Sequence, residues 1–455
     1  MTPVTPTPAA TRTTRSTLDW LRNWGATLAV GIILVPILLI QPWRTYLDQG
    51  PIRSDGLGYF AWTRAALDGE LGFCRYPSIE QAAAVKIPRP TATDPKRIRC
   101  ADKYPPGLAI LQFPVMAALS SRSNDTVAVT PAQHDASLWL GGLALIGVCT
   151  AITAVARRFG ANGWGVQVAV FAFVFGAGLF PYATYSAAFM HIHAALMVSL
   201  LLWVAVKTQQ DGRSLRTAIL AGLCAFFIVS MRNIDLAIIA ILMTAYAPWA
   251  YVTREGSGAA RVRGIAVDLA PVAIGVLAAA SLQLGINHYM SGEWALSSYS
   301  PGEKFIFDRF HQREVLFSYS RGLFIYAPLV LFTLVAGLLV RRARTITVLY
   351  GALIAVLAVV YGFWWTWELG GGAGFGHRGF VEIAPVGMLA AALILTSIPR
   401  RAFIAFSVLA LGAALWSLQL AALMATLNYP EYAADAHIYW RHTVGSESIL
   451  ARLFR

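Results

Sequence analysis

Long apolar runs recur along this chain, and short basic clusters sit between them. Few folds satisfy that pattern. Soluble domains carry about 25% charged residues, whereas this chain of 455 residues is 13% charged and 57% hydrophobic. A helix of about 20 apolar residues crosses a hydrocarbon core of about 30 Å. The pattern therefore predicts an all-α polytopic membrane protein. The formal net charge of +13 does not indicate a nucleic-acid partner. The basic residues lie in loops between spans, as the positive-inside rule requires.

The span count turns on one segment. Gly107 to Leu119 is apolar but offers only about 20 Å of helix, and it contains Pro114. It reads as a helix lying in the outer interface. Without it, spans fall near 26–40, 137–156, 164–183, 189–206, 217–231, 233–251, 265–285, 322–340, 346–363, 382–398 and 402–424, about eleven in all. One set of loops then holds Arg157 and Arg158, Lys207, Arg213 and Arg216, Arg254, Arg261 and Arg263, Arg341, Arg342 and Arg344, and Arg400 and Arg401. That side is cytoplasmic, with the N-terminus inside and the C-terminus outside. Residues 1–24 read as a disordered basic cytoplasmic tail, 25–424 as the transmembrane domain and 425–455 as a short extracytoplasmic tail. Gln41-Pro42-Trp43-Arg44 follows the first span where a cleavage site would stand, so that span reads as an uncleaved anchor.

The sizeable outer segments are 41–136, 286–321 and 363–381. In the first, Ser54 reads as a helix N-cap with Asp55 in the first turn. An ionised Asp55 suits the helix dipole and can act as a general base or hold a metal. By spacing alone, capping explains Asp55 as well as catalysis does. Tyr59 and Trp62 share its helix face and can stack on a sugar ring or anchor the helix at the interface. Lys103 and Tyr104 stand beside Pro105-Pro106, which starts the interfacial helix and pins them at the membrane surface. Cys74 and Cys100 can close a loop in an oxidising compartment, though two free thiols fit equally. His191 and His193 open a later span, and their i, i+2 spacing keeps them off a common helix face. Arg232 sits at an outer turn, free to pair with Asp235 or to reach the headgroups. The third segment carries Glu368, then a glycine run ending in His377-Arg378. Glycines let backbone N–H groups approach an anion, and arginine grips phosphate with two parallel bonds.

Taken together these residues resemble the GT-C superfamily of integral-membrane glycosyltransferases. The similarity is to bacterial relatives of the family 39 protein mannosyltransferases and of the lipid A aminoarabinose transferases. It is carried by Ser54-Asp55-Gly56-Leu57-Gly58-Tyr59-Phe60, Leu67-Asp68-Gly69-Glu70-Leu71, Lys103-Tyr104-Pro105-Pro106-Gly107, Arg321-Gly322-Leu323-Phe324-Ile325-Tyr326-Ala327-Pro328 and Gly374-Phe375-Gly376-His377-Arg378. The resemblance implies sugar transfer from a polyprenyl-phosphate-linked donor to a lipid, glycan or protein acceptor. The reaction would occur on the outer face of the bacterial cytoplasmic (inner) membrane. It implies Asp55 as base, with Arg378, Arg232, Lys103 and Tyr104 on the lipid phosphate. Tyr59, Trp62, His191, His193, Glu368 and His377 would line the cavity. Such enzymes often use a divalent metal (Mg2+ or Mn2+), for which Asp55 and His191 are the candidates. The chain departs from the pattern where histidines replace a later acidic residue. A transporter or flippase of a lipid-linked or anionic substrate is the competing class. It would show internal repeats and mid-membrane charge, whereas the polar residues here gather at the outer ends of spans.

Overall fold

The computed structural model describes residues 17–40, 50–69, 71, 73–88, 98–120, 128–161, 163–296, 299, 303–367, 374–425, 439–440 and 443. In chain order the elements are α1 (Thr17–Ile40), α2 (Asp55–Asp68), α3 (Pro77–Ala83), β1 (Ala84–Pro88), β2 (Ile98–Asp102), α4 (Gly107–Ala118), α5 (Pro131–Arg158), α6 (Trp164–Gly176), α7 (Leu179–Ala183), α8 (His191–Asp211), α9 (Leu215–Met231), α10 (Leu236–Thr253), α11 (Gly258–Ser291), α12 (Gln312–Phe317), α13 (Leu323–Tyr326), α14 (Pro328–Leu339), α15 (Arg344–Gly362), α16 (Ala384–Leu395) and α17 (Arg400–Ala425). Among the described residues, seven helices are long and apolar enough to cross a membrane. They coincide with seven of the expected spans. The other four places hold shorter apolar helices. Gly178, at φ 81°, separates α6 from α7, and Pro328, which lacks a backbone N–H, starts α14 after a break at Ala327.

Helix ends follow from local chemistry. Thr130 accepts a bond from Gln133 N, Gln133 caps back, and Pro131 sets the first turn of α5. Arg157 and Arg158 close that helix, where positive charge offsets the dipole. Helix α16 is buried along all 12 residues, so neighbouring helices surround it completely. The first helix starts at Thr17, earlier than the expected boundary at residue 25, because Leu18 to Trp24 continue its helical run.

A smaller layer covers one end of the bundle. It joins α2, α3, the antiparallel pair β1–β2 and α4 in its own apolar core around Phe60, Trp62, Phe73 and Leu108. The start of α8 and the ends of α9 and α11 meet this layer. The opposite end of the bundle carries Arg158, Arg213, Arg254 and Arg342.

Candidate functional site

Asp55 begins α2, but Ser54 does not cap it: the Ser54 side chain makes no capping bond. Among the described residues Ser54 is also the only non-glycine with positive φ, at 47°. A serine there is strained, and such strain persists only where surrounding structure imposes it. The glycines that follow explain the motif. A Cβ on Gly58 would stand 2.1 Å from the Tyr104 ring, and one on Gly56 would stand 2.9 Å from Ala188 Cβ. Only glycine lets both neighbours close on this turn.

Tyr104 is thereby held over Asp55. Its N–H donates to Asp102 Oδ1 at 2.8 Å, its carbonyl accepts from Trp62 Nε1, and its ring lies 4.9 Å from Tyr59. Its hydroxyl donates to Asp55 Oδ1 at 2.8 Å. Burial, followed by the Asp55 charge, holds the Tyr104 hydroxyl well above its usual pKa, so it stays a donor. Burial likewise raises Tyr59. The second Asp55 oxygen takes Arg378 Nη2 at 2.8 Å. Two residues more than three hundred positions apart thus form one largely buried ion pair. Arg378 Nη1 has no hydrogen-bond partner among the described residues, and its guanidinium lies 5.7 Å from the Phe189 ring.

A second charged group lies behind the first. Glu382 is fully buried and accepts from His191 Nδ1 at 2.6 Å. Arg232 Nη1 approaches the same carboxylate at 3.6 Å, and its guanidinium lies 5.0 Å from the Tyr361 ring. Arg232 thus lies within ion-pair reach of Glu382, and the buried Asp235 carboxylate adds to the negative charge it faces. Arg378 and Glu382 flank the turn that leads into α16, so one short stretch of chain supplies both groups. Glu382 escaped the sequence reading because it opens an apolar run. The signal was present all the same: an acid at membrane depth is a functional candidate by default. Arg53 was missed too. It is buried before Ser54, with its guanidinium 4.1 Å from the Tyr185 ring.

Other expected site residues do different work. Lys103 pairs with Glu303 at 2.8 Å and so is already neutralised within the protein. Trp62 is buried, with Phe73 edge-on at 4.8 Å. His193 meets Gln112 of α4 at 3.0 Å, on the far side of the helix from His191. His377 Nε2 donates to the Trp367 carbonyl at 2.9 Å, and the ring packs between Tyr361 and Phe380. Burial pushes its pKa down to about 3, so it stays neutral. Glu368 lies outside the described residues. A disulfide joins Cys74 to Cys100, with Cα atoms 5.5 Å apart.

Among the described residues the donor set does not suit a divalent cation. No group of three or more His, Cys, Asp and Glu side chains among the described residues could hold a metal. Asp55 is engaged by Arg378 and Tyr104, and His191 by Glu382.

No family model matches this chain, and no curated protein matches it. Two solved structures share its fold. One is the oligosaccharyltransferase of Archaeoglobus fulgidus in the apo form, with TM-score 0.51 and 12% identity over 95% of this chain and 59% of that one. The other is the oligosaccharyltransferase AglB from Archaeoglobus fulgidus in complex with an inhibitory peptide and a dolichol-phosphate. Its TM-score is 0.51, with 13% identity over 90% of this chain and 56% of that one. The chain thus spans less than two thirds of the length of these neighbours. At this identity the likeness establishes the fold and leaves the chemistry to the site.

Proposed function

We propose that this chain transfers a sugar from a polyprenyl-phosphate-linked donor to an acceptor hydroxyl at the Asp55 end of the bundle. The observation that carries the reading is the largely buried Asp55–Arg378 pair with Tyr104 donating to the same carboxylate. A carboxylate has about four lone-pair sites, so Asp55 can also accept the hydroxyl proton as it attacks the anomeric carbon. Arg378 keeps Nη1 for the departing phosphate, and Arg232 adds a second positive charge. Both act most strongly as negative charge grows on the leaving oxygen. Glu382 and His191 orient Arg232 without touching substrate. Attack in a single displacement inverts the anomeric centre, because among the described residues no second carboxylate stands ready as a nucleophile beside Asp55. The structure containing dolichol-phosphate supports a lipid-linked donor by analogy of fold.

The proposal extends to topology. The seven long helices and four shorter ones together make eleven crossings, with the Asp55 end extracytoplasmic and the basic end inside. This is the arrangement of a multi-pass enzyme of the bacterial cytoplasmic membrane. The charges gather at the two ends of the bundle rather than at its middle, which favours an interfacial enzyme over a transporter.

The test is sugar transfer from a labelled polyprenyl-phosphate donor pool in membranes, with wild type and Asp55→Asn at matched protein levels. Label should move with the wild type and fall about a hundredfold or more in the variant. An Asp55→Asn protein as active as wild type would sink the assignment of the base.

A further inference from the structure

The transfer reaction does not use a cavity of about 1000 Å³ at the basic end of the bundle. Its walls come from α8, α9, α10, α11 and α15, and Leu389 and Leu393 of α16 form the floor. The polar lining gathers at one end, with Arg213, Ser214, Tyr246, Asp268 and Arg342. Along α10 the walls run from residue 240 to residue 249, a rise of about 14 Å. Half of a hydrocarbon core is about 15 Å, so the cavity is as deep as one leaflet.

Charge decides which leaflet component fits. Asp268 is buried and holds Arg213 at 2.6 Å; Arg254 and Tyr246 bind the same carboxylate. Two cations therefore meet one anion. Arg342 adds a further positive charge, with one N–H on the Phe159 carbonyl and the remaining donors unassigned. The mouth is basic and the body apolar. A zwitterionic headgroup would bring no net charge to this mouth. A polyprenyl chain reaches further than one leaflet, and its phosphate has a place at the opposite end.

We infer that this cavity binds an anionic glycerophospholipid of the leaflet at the basic end, with its acyl chains in the cavity and its headgroup phosphate on Arg213 and Arg342. Each basic side chain near a membrane surface is worth about 1 kcal/mol toward an anionic lipid, or about fivefold in affinity.

The experiment is native mass spectrometry of the delipidated full-length protein titrated with phosphatidylglycerol or phosphatidylcholine of identical acyl chains. Phosphatidylglycerol should bind about thirtyfold tighter, as two arginines would give. Arg342→Gln should cut that preference about fivefold. Ala218→Phe, which fills the cavity from α9, should abolish retention of both lipids at an unchanged melting temperature. Should Ala218→Phe fail to fold, wild-type selectivity and Arg342→Gln still decide. Equal binding of the two phospholipids would overturn the inference. So would displacement of phosphatidylglycerol by equimolar polyprenyl phosphate, or wild-type selectivity in Arg342→Gln. The readout is bound lipid mass, so the result stands whether or not Asp55 proves to be a transferase base.

Discussion

The two polar ends of the bundle use the same side chains for opposite purposes. At the Asp55 end, acids and arginines face one another largely out of solvent. Asp55 faces Arg378, and Glu382 faces Arg232. At the other end, arginine and lysine exceed the available acids. Asp211, half exposed, takes both Arg158 and Lys207, and Asp268 takes both Arg213 and Arg254. The lesson concerns dielectric rather than composition. An exposed pair is worth little, while a buried one costs heavily when a partner is removed. Burial at the first end fixes geometry. Surplus charge at the second end is what the proposed orientation and the inferred lipid site rest on.

The contrast can be broken by experiment. Glu382→Ala should have the largest effect, since it leaves Arg232 buried without its acid. Stability should drop by about 3–5 kcal/mol, read by thermal unfolding in detergent. Glu382→Gln, which keeps the shape and one hydrogen bond, should lose less. If both variants melt like wild type, the two ends do not differ as argued. Tyr104→Phe removes one bond to a charged group and should cost about 1.5–3 kcal/mol. Its activity should fall with the fold intact, and wild-type transfer would show that Asp55 needs no donor on Oδ1.

His377 gives a pH test. Its folded pKa lies at about 3, below the unfolded value of about 6.5. Below pH 6.5 the unfolded chain binds a proton that the folded chain refuses. The stability it contributes is therefore complete above pH 6.5 and is lost progressively as pH falls toward 3. His377→Gln should flatten that part of the melting profile. An unchanged slope would show that the ring protonates in place. The smallest effect belongs to Asp211→Asn, which should leave both the melting temperature and transfer unchanged within error. A clear loss there would mean that the basic end, too, is held by its ion pairs.

Much of this was legible before any coordinates. The helix positions follow from apolar runs, because a membrane leaves a backbone few choices. Asp55 and Arg378 were legible because each stands at the end of a glycine-bearing motif beside a span. What the sequence hid was pairing. Lys103 and Glu303 lie two hundred positions apart, and Trp62 meets Phe73 across a loop. Each looked available only because its partner was out of view. Glu382 was lost for a different reason. Its apolar neighbours made it look like part of a span, and only the folded bundle shows His191 and Arg232 converging on it.

Helix α16 is enclosed by protein on every side, and Arg378 and Glu382 stand on the turn just before it. Lipid tails touch the outer helices but not this one. A thicker or thinner bilayer can tilt those outer helices at modest cost, while the post that carries both site charges has no lipid contact through which to feel the change. On the function proposed above, the geometry of the two charges is uncoupled from membrane thickness, and transfer should keep its rate when the bilayer around the bundle thickens or thins.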